Sequence, residues 1–159
     1  MKLVIKKSKL GGRGSFAPKR IIKGSHILSF YGELIDLDEV DRRIAAGKER
    51  ADDPLQVDDL MFLDIDDDSF YINHNCGPNA FLRGYAELVA QKDIEEGQEI
   101  TFDYSATVGK NIDWWMNCIC GSKNCRKRIG NVSTIPENQL NKYYQAGGLQ
   151  DYIRKQLGL

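Results

Sequence analysis

The chain has 159 residues, with 22 Lys and Arg against 23 Asp and Glu and a formal net charge of −1. Its 42% hydrophobic and 28% charged residues are the composition of one globular domain, which excludes disordered, collagen-like and disulfide-dense secreted classes. No apolar run approaches the roughly 20 residues of a membrane span. The N-terminal MKLVIKKSKLGG has a three-residue apolar stretch and does not read as a secretion signal, so the expectation is an intracellular protein with no cleavable signal, with cytoplasm, nucleus and signal-less export left open.

The small net charge hides a partition. Residues 1–32 carry eight bases and no acid, and residues 33–70 carry fourteen acids against four bases. Residues 71–104 are again acidic, six to two, and residues 105–159 are basic, eight to three. A nucleic-acid binder would collect its bases into one dominant patch, so direct nucleic-acid binding is not expected. The layout suits an acidic segment facing a cationic partner, and equally suits two blocks that neutralise each other across the fold.

Taken in chain order, Leu3–Lys6 reads as a strand followed by the turn Gly11-Gly12-Arg13-Gly14. Residues 27–35 form a mostly apolar run with Gly32 inside it, a buried strand with a bend. Asp36 is a helix N-cap with Glu39 three residues on, and Gly47 is the stop. Residues 48–58 read as a loop. Met61–Ile65 and Phe70–Ile72 flank the turn 66–69 as a hairpin, and Glu87–Gln91 and Glu99–Tyr104 bracket a second turn at 95–97. Pro136–Ala146 and Leu149–Gln156 read as two amphipathic helices separated by Gly147-Gly148. The fold class is mostly β, a β-rich α+β arrangement of short strands closed by C-terminal helices.

Four cysteines carry more information. Cys118, Cys120 and Cys125 fall within eight residues, and Cys76 lies 42 residues upstream in N-H-N-C-G-P-N. Four thiolates suffice for one closed tetrahedral zinc site. Two disulfides are the alternative, which the missing secretion signal and the C-x-C spacing weaken, and four unrelated buried thiols are a third. Other motifs are weak when taken singly. Gly12-Arg13-Gly14 lacks the rest of a dinucleotide fingerprint. The aspartates 66–68, read as a calcium loop from Asp64, put Ser69 where the bend glycine belongs and Asn75 where the bidentate Glu belongs. His74 alone reads as a structural histidine.

Taken together and in order, five segments stop looking independent: G-G-R-G-S-F-A (11–17), F-Y-G-E (30–33), I-N-H-N-C-G-P-N (72–79), G-Q-E-I-T-F-D-Y (97–104) and C-I-C-G-S-K-N-C-R (118–126). They resemble the SET-domain protein-lysine methyltransferases with a post-SET zinc motif, most of all the short free-standing members. The resemblance covers roughly residues 3–130. It implies a SET fold of several short sheets with a knot-like active site over residues 1–110, a post-SET zinc motif over 111–130 and a C-terminal helical tail over 131–159. S-adenosylmethionine would lie against Gly12, Arg13 and Gly14, Asn73 and His74, and Tyr104. The target lysine of a protein substrate, a histone tail or another lysine-rich segment, would enter from the opposite face. Carried over by position, Tyr104 is the catalytic tyrosine, Phe30, Tyr31 and Phe102 line the lysine channel, and Cys76, Cys118, Cys120 and Cys125 bind one Zn2+.

The chemistry this implies is mostly alignment. A sulfonium methyl is already activated, and positioning is worth up to about 7–11 kcal/mol in the best intramolecular cases. A free lysine, with a pKa near 10.4, is protonated at neutral pH, and an apolar aromatic channel favours the neutral amine that can attack. A tyrosine of ordinary pKa is a poor base, so Tyr104 is expected to orient, and its face favours the cationic sulfonium. Phe102 in the family accompanies higher methylation states, because a second hydroxyl there would occupy the room another methyl needs. The expected product is therefore dimethyl or trimethyl lysine.

The chain departs from the family pattern in places. Asn75 stands where serine is usual, Phe30 falls where the ungapped match places a channel tyrosine, with Tyr31 beside it, and Phe70 replaces a frequent arginine. The insert before Asn73-His74 is short, and the cysteine cluster that precedes the domain in histone H3 lysine 9-type enzymes is expected to be absent. A degenerate SET module that binds a partner without catalysis is the alternative, and retention of Tyr104, Asn73, His74 and all four cysteines speaks against it. A zinc-stapled nucleic-acid binder has Arg126-Lys127-Arg128 in its favour and the overall acidity against it.

Overall fold

A computed structural model describes residues 1–48, 50 and 53–159. Asp52 and part of the expected 48–58 loop lie outside the described residues. The elements are short: β1 Val4–Lys7, β2 Arg13–Phe16, β3 His26–Ser29, β4 Glu33–Asp36, α1 Leu37–Ala45, β5 Leu55–Asp58, β6 Met61–Asp64, β7 Asn73–His74, β8 Ala80–Arg83, β9 Glu87–Ala90, β10 Thr101–Phe102, β11 Trp115–Asn117, β12 Arg128–Gly130, α2 Glu137–Gln145 and α3 Asp151–Leu157. They form the hairpin β1-β2, the three-stranded sheets β3-β9-β8 and β4-β6-β5, the parallel pair β10-β7 and the pair β11-β12. This is the expected mostly-β class of several small sheets. Among the described residues no helix is long and apolar enough to cross a membrane.

Several local expectations are corrected. The run 27–35 is two strands in two different sheets, and Gly32 between them is required because a Cβ there would lie 2.0 Å from the Asp64 carbonyl oxygen. Phe70–Ile72 is not a strand: residues 68–71 form a 3-10 turn capped by the Asp67 carboxylate on the Ser69 N–H. β6 pairs instead with β4 and with β5, which falls inside the expected loop. The 87–91 and 99–104 segments do not pair with each other; β9 lies between β3 and β8, and β10 runs parallel to β7. β2 and β8 form where no strand was expected.

The main core is built from Ile27, Leu55, Leu63, Ile72, Leu88 and Ile100 between the two three-stranded sheets, with Phe30 and Phe102 at its edge. A second cluster joins Val132, Ile135, Tyr143, Leu149, Tyr152 and Ile153 of the C-terminal segment to Ala106, two residues after Tyr104. A third packs Cys76, Cys118 and Cys120 on Ile129, with Tyr104 at its margin. Tyr104 therefore packs against the first and third clusters and lies two residues from Ala106 of the second.

Candidate active site and metal centre

A cavity of about 590 Å³ opens between the β1-β2 turn, the β7-β10 pair and the 114–120 segment. Its walls include the turn Gly11-Gly12-Arg13, then Asn73, and on another side Phe30, Ile72, Phe102 and Tyr104. Gly11 and Gly12 have φ of 123° and 55°, a region side chains rarely adopt, and a Cβ at either would meet nothing within 4 Å. The turn thus presents bare backbone to the cavity. Gly14 faces away from it: a Cβ there would lie 2.2 Å from Glu99 Oε1.

Asn73 is fixed from both donors of its amide, to the Arg13 carbonyl at 2.9 Å and to Glu99 Oε1 at 2.8 Å. Glu99 also accepts from the Ser8 hydroxyl through both oxygens, at 2.7 and 2.8 Å. One carboxylate so ties β7 to the β1-β2 hairpin. Arg13 is stacked over the Tyr71 ring at 4.4 Å and donates to its hydroxyl at 3.2 Å.

The Tyr104 hydroxyl donates to the Ile72 carbonyl at 2.9 Å, and its backbone N–H donates to His74 Nδ1 at 3.2 Å. Its ring lies 4.9 Å from that of Phe102, which is 6.0 Å from Phe30 in an edge-on arrangement. Phe30, Phe102 and Tyr104 thus form one aromatic wall. Tyr31 is not part of it; the residue is 70% exposed and lies outside the cavity lining. Alternation along an extended chain sends two neighbouring aromatics to opposite sides, and the buried position falls to Phe30.

The four cysteines converge. Cys118 Sγ is 3.7 Å from both Cys76 Sγ and Cys125 Sγ, and the Cys76 N–H points at Cys120 Sγ at 3.5 Å. These separations are far longer than the roughly 2.05 Å of a disulfide. The two sulfur–sulfur separations match the edge of about 3.8 Å that four Zn–S bonds of about 2.3 Å impose on a tetrahedron. The donor set fits zinc on that geometry. His74 also falls within the cluster, its ligand atom and those of Cys76, Cys118 and Cys120 all lying within 4.8 Å of one another. Burial, and after it the Arg126 charge, hold the His74 imidazole down to about 3, so it is neutral. Its Nδ1 takes the Tyr104 N–H, which puts the ring proton on Nε2, facing Cys76 Sγ at 3.3 Å. Nε2 is then a donor to sulfur rather than a lone pair for a metal, while Cys125 Sγ lies beside Cys118 Sγ but outside that group of four. Burial pushes the Cys118 and Cys76 thiols up. At Cys120 hydrogen bonds from Ser122 and the Cys76 N–H outweigh burial and bring the thiol to about 6.

Sequence reasoning missed the ionic supports. Asp103 is 2% exposed; burial pushes its carboxyl up while Arg126, at 2.5 Å from Oδ1, opposes that shift. Arg126 also directs its backbone N–H to Cys76 Sγ at 3.4 Å. A charged residue inside the apolar run I-T-F-D-Y is the signal that would have flagged Asp103 for a buried partner.

A SET domain family model matches residues 12–105. A histone-lysine N-methyltransferase, H3 lysine-9 specific, of Fusarium mangiferae is 33% identical over 154 residues, covering 73% of this chain and 45% of that protein. A histone-lysine N-methyltransferase, H3 lysine-36 specific, of Candida albicans is 29% identical over 151 residues, covering 81% of this chain and 17% of that protein. A solved humanized mutant of the Chaetomium thermophilum Polycomb Repressive Complex 2, bound to an inhibitor, superposes with a TM-score of 0.57 at 27% identity, over 67% of this chain and 15% of that one. The chain spans less than half the length of these proteins. The family match covers more than half of the chain and runs through the cavity walls from Gly12 to Tyr104, so the chain belongs to the SET domain family.

Proposed function

We propose that the chain is an S-adenosylmethionine-dependent protein-lysine N-methyltransferase with one structural zinc ion, its SET domain over 1–110, zinc motif over 111–130 and helical tail over 131–159. The observation that carries this is the Tyr104 hydroxyl bonded to the Ile72 carbonyl in the same cavity as the bare Gly11-Gly12 turn. When bound, S-adenosylmethionine supplies an activated methyl group. Gly12, Arg13 and Asn73 would hold it by backbone and amide groups, with Gly14 and Glu99 behind them. His74 would contribute through its backbone, since its ring faces Cys76.

Tyr104 gives its hydroxyl proton to the Ile72 carbonyl, so toward the substrate amine its oxygen acts as an acceptor of an N–H. That orients the amine without removing a proton. Phe30 and Phe102 exclude water and favour the neutral amine by desolvation. Cys76, Cys118, Cys120 and Cys125 would hold zinc, whose role is to close the 114–126 segment over Tyr104. The substrate would be a lysine in a basic segment such as a histone tail, drawn by the acidic 33–70 stretch; similar proteins named for lysine-9 and lysine-36 of H3 support the class.

Phe102 brings no hydroxyl to the channel, which supports dimethyl and trimethyl products. Mass spectrometry of core histones after incubation with enzyme and cofactor should show these states, and Phe102→Tyr should shift them toward monomethyl. Monomethyl product alone, unchanged by Phe102→Tyr, would contradict this reading.

A further inference from the structure

The helical tail carries no motif and lies beyond the family match, which ends at residue 105. It nevertheless reaches the centre of the site. From α2, Gln139 Nε2 donates to the Cys76 carbonyl at 2.8 Å and lies 3.5 Å from Asp103 Oδ2. One turn on, the buried Tyr143 hydroxyl donates to Asp103 Oδ2 at 3.1 Å and takes the Gln139 amide at 2.5 Å. The other Asp103 oxygen takes Arg126 at 2.5 Å and the Ser105 N–H at 3.1 Å. Gln139 and Tyr143 stand four residues apart, on one face of the helix.

We propose that Gln139 and Tyr143 are positioning residues that fasten Asp103 and Cys76, and through them Tyr104 and the zinc cluster. Asp103 precedes Tyr104 in the chain, so the direction of its carboxylate fixes the backbone from which the Tyr104 ring projects. It also anchors Arg126, the residue after Cys125. Gln139 acts at the other end of the cluster, on the carbonyl of Cys76, the one cysteine supplied from outside the 118–125 loop. The tail thus braces the two separated parts of the cysteine set against each other. The metal half of this inference rests on the zinc reading above, and its first test needs no catalysis.

The test compares the full-length protein with Tyr143→Phe, Gln139→Met and, as control, Tyr152→Phe. Tyr152 is a second buried tyrosine of the tail, donating to the Thr107 carbonyl at 2.5 Å and, among the described residues, not hydrogen-bonded to Asp103, so its variant reports general loosening of the tail. Transfer of bound zinc to a chromophoric chelator should be about tenfold faster in Tyr143→Phe and Gln139→Met, in the range usual for groups that support metal ligands, and near wild type in Tyr152→Phe. The d–d bands of the cobalt-substituted protein should shift in the first two only. In methyl-transfer assays Tyr143→Phe should lower kcat about tenfold, a small displacement of a positioned group, with KM for the cofactor held within twofold. Equal zinc release from Tyr143→Phe and wild type, or from Tyr143→Phe and Tyr152→Phe, overturns the proposal. A wild-type protein that binds no zinc overturns the zinc reading and the metal half together, and a kcat unaffected by Tyr143→Phe overturns the Tyr104 half.

Discussion

Replacing Gly14 by alanine tests whether the Glu99 carboxylate is the fastening between the β1-β2 hairpin and Asn73. A Cβ at this position would stand 2.2 Å from Glu99 Oε1, where ordinary contact begins at 3.4 Å. The carboxylate must move by more than an ångström, and its bonds to Ser8 and Asn73, 2.7 to 2.8 Å long, do not survive that displacement. Hydrogen bonds to a charged acceptor contribute about 1.5–3 kcal/mol each. Glu99 is only half-buried, so water replaces part of the loss, and the lower chain entropy of alanine in the unfolded state offsets about 0.5 kcal/mol. The expected net loss is about 2 kcal/mol, a fall in Tm of roughly 4–8 °C for a chain of this size. Glu99→Ala alone should lose about the same, because it removes the same bonds. The double variant should lose little more than either single one, since the added methyl group then has no carboxylate to displace and meets only the Asn73 amide, 3.0 Å away and released from Glu99; the cycle should show a coupling of about 2 kcal/mol. Equilibrium urea unfolding of the four proteins measures it. Additive losses, or a Gly14→Ala protein as stable as wild type, would show that Glu99 does not fasten the hairpin to Asn73.

Other consequences follow from the same geometry. Metal analysis should find one zinc per chain, lost on Cys118→Ser or Cys125→Ser and retained, though exchanging faster, on His74→Gln; retention by Cys125→Ser with loss by His74→Gln would reverse the assignment of the fourth ligand. Gly32→Ala should destabilise by about 3 kcal/mol, at the upper end for overpacking, because the atom it meets is the Asp64 carbonyl oxygen at 2.0 Å and a backbone atom cannot swing aside. Thermal unfolding reads this as a fall of roughly 6–12 °C, and a shift under about 2 °C, well below that range, would mean that β4 and β6 separate freely.

What the sequence made legible was what local chemistry decides. The α1 start shows in Asp36, whose carboxylate accepts the Glu39 N–H, and the α2 and α3 helices show in their amphipathic spacing and the glycines between them. The four cysteines and the aromatic residues Phe30, Phe102 and Tyr104 were legible as one group because their types and order follow the family pattern. Pairing partners were not. β3 finds β9 some sixty residues away, and the two-residue parallel pair β7-β10 is too short to leave any periodicity. β5 was hidden because Gln56, between Leu55 and Val57, looks like a loop residue; it is 2% exposed, donating to the Asp58 and Asp59 carbonyls and accepting from the Gly109 N–H. The same holds for the ionic supports: nothing near Glu99, Asp103 or Arg126 in sequence says that they meet Ser8, Tyr143 or each other, since the choice of partner is made by the tertiary fold.

The central claim is that Tyr104 aligns a lysine amine for methylation. Labelled methyl transfer from S-adenosylmethionine to core histones and to a whole-protein extract, with wild type beside Tyr104→Phe, tests it most directly. Label should be recovered on lysine with the wild type and fall about 100-fold or more with Tyr104→Phe, while cofactor binding by titration changes little. Label that survives Tyr104→Phe undiminished, or bound cofactor with no lysine labelled in either mixture, would contradict it.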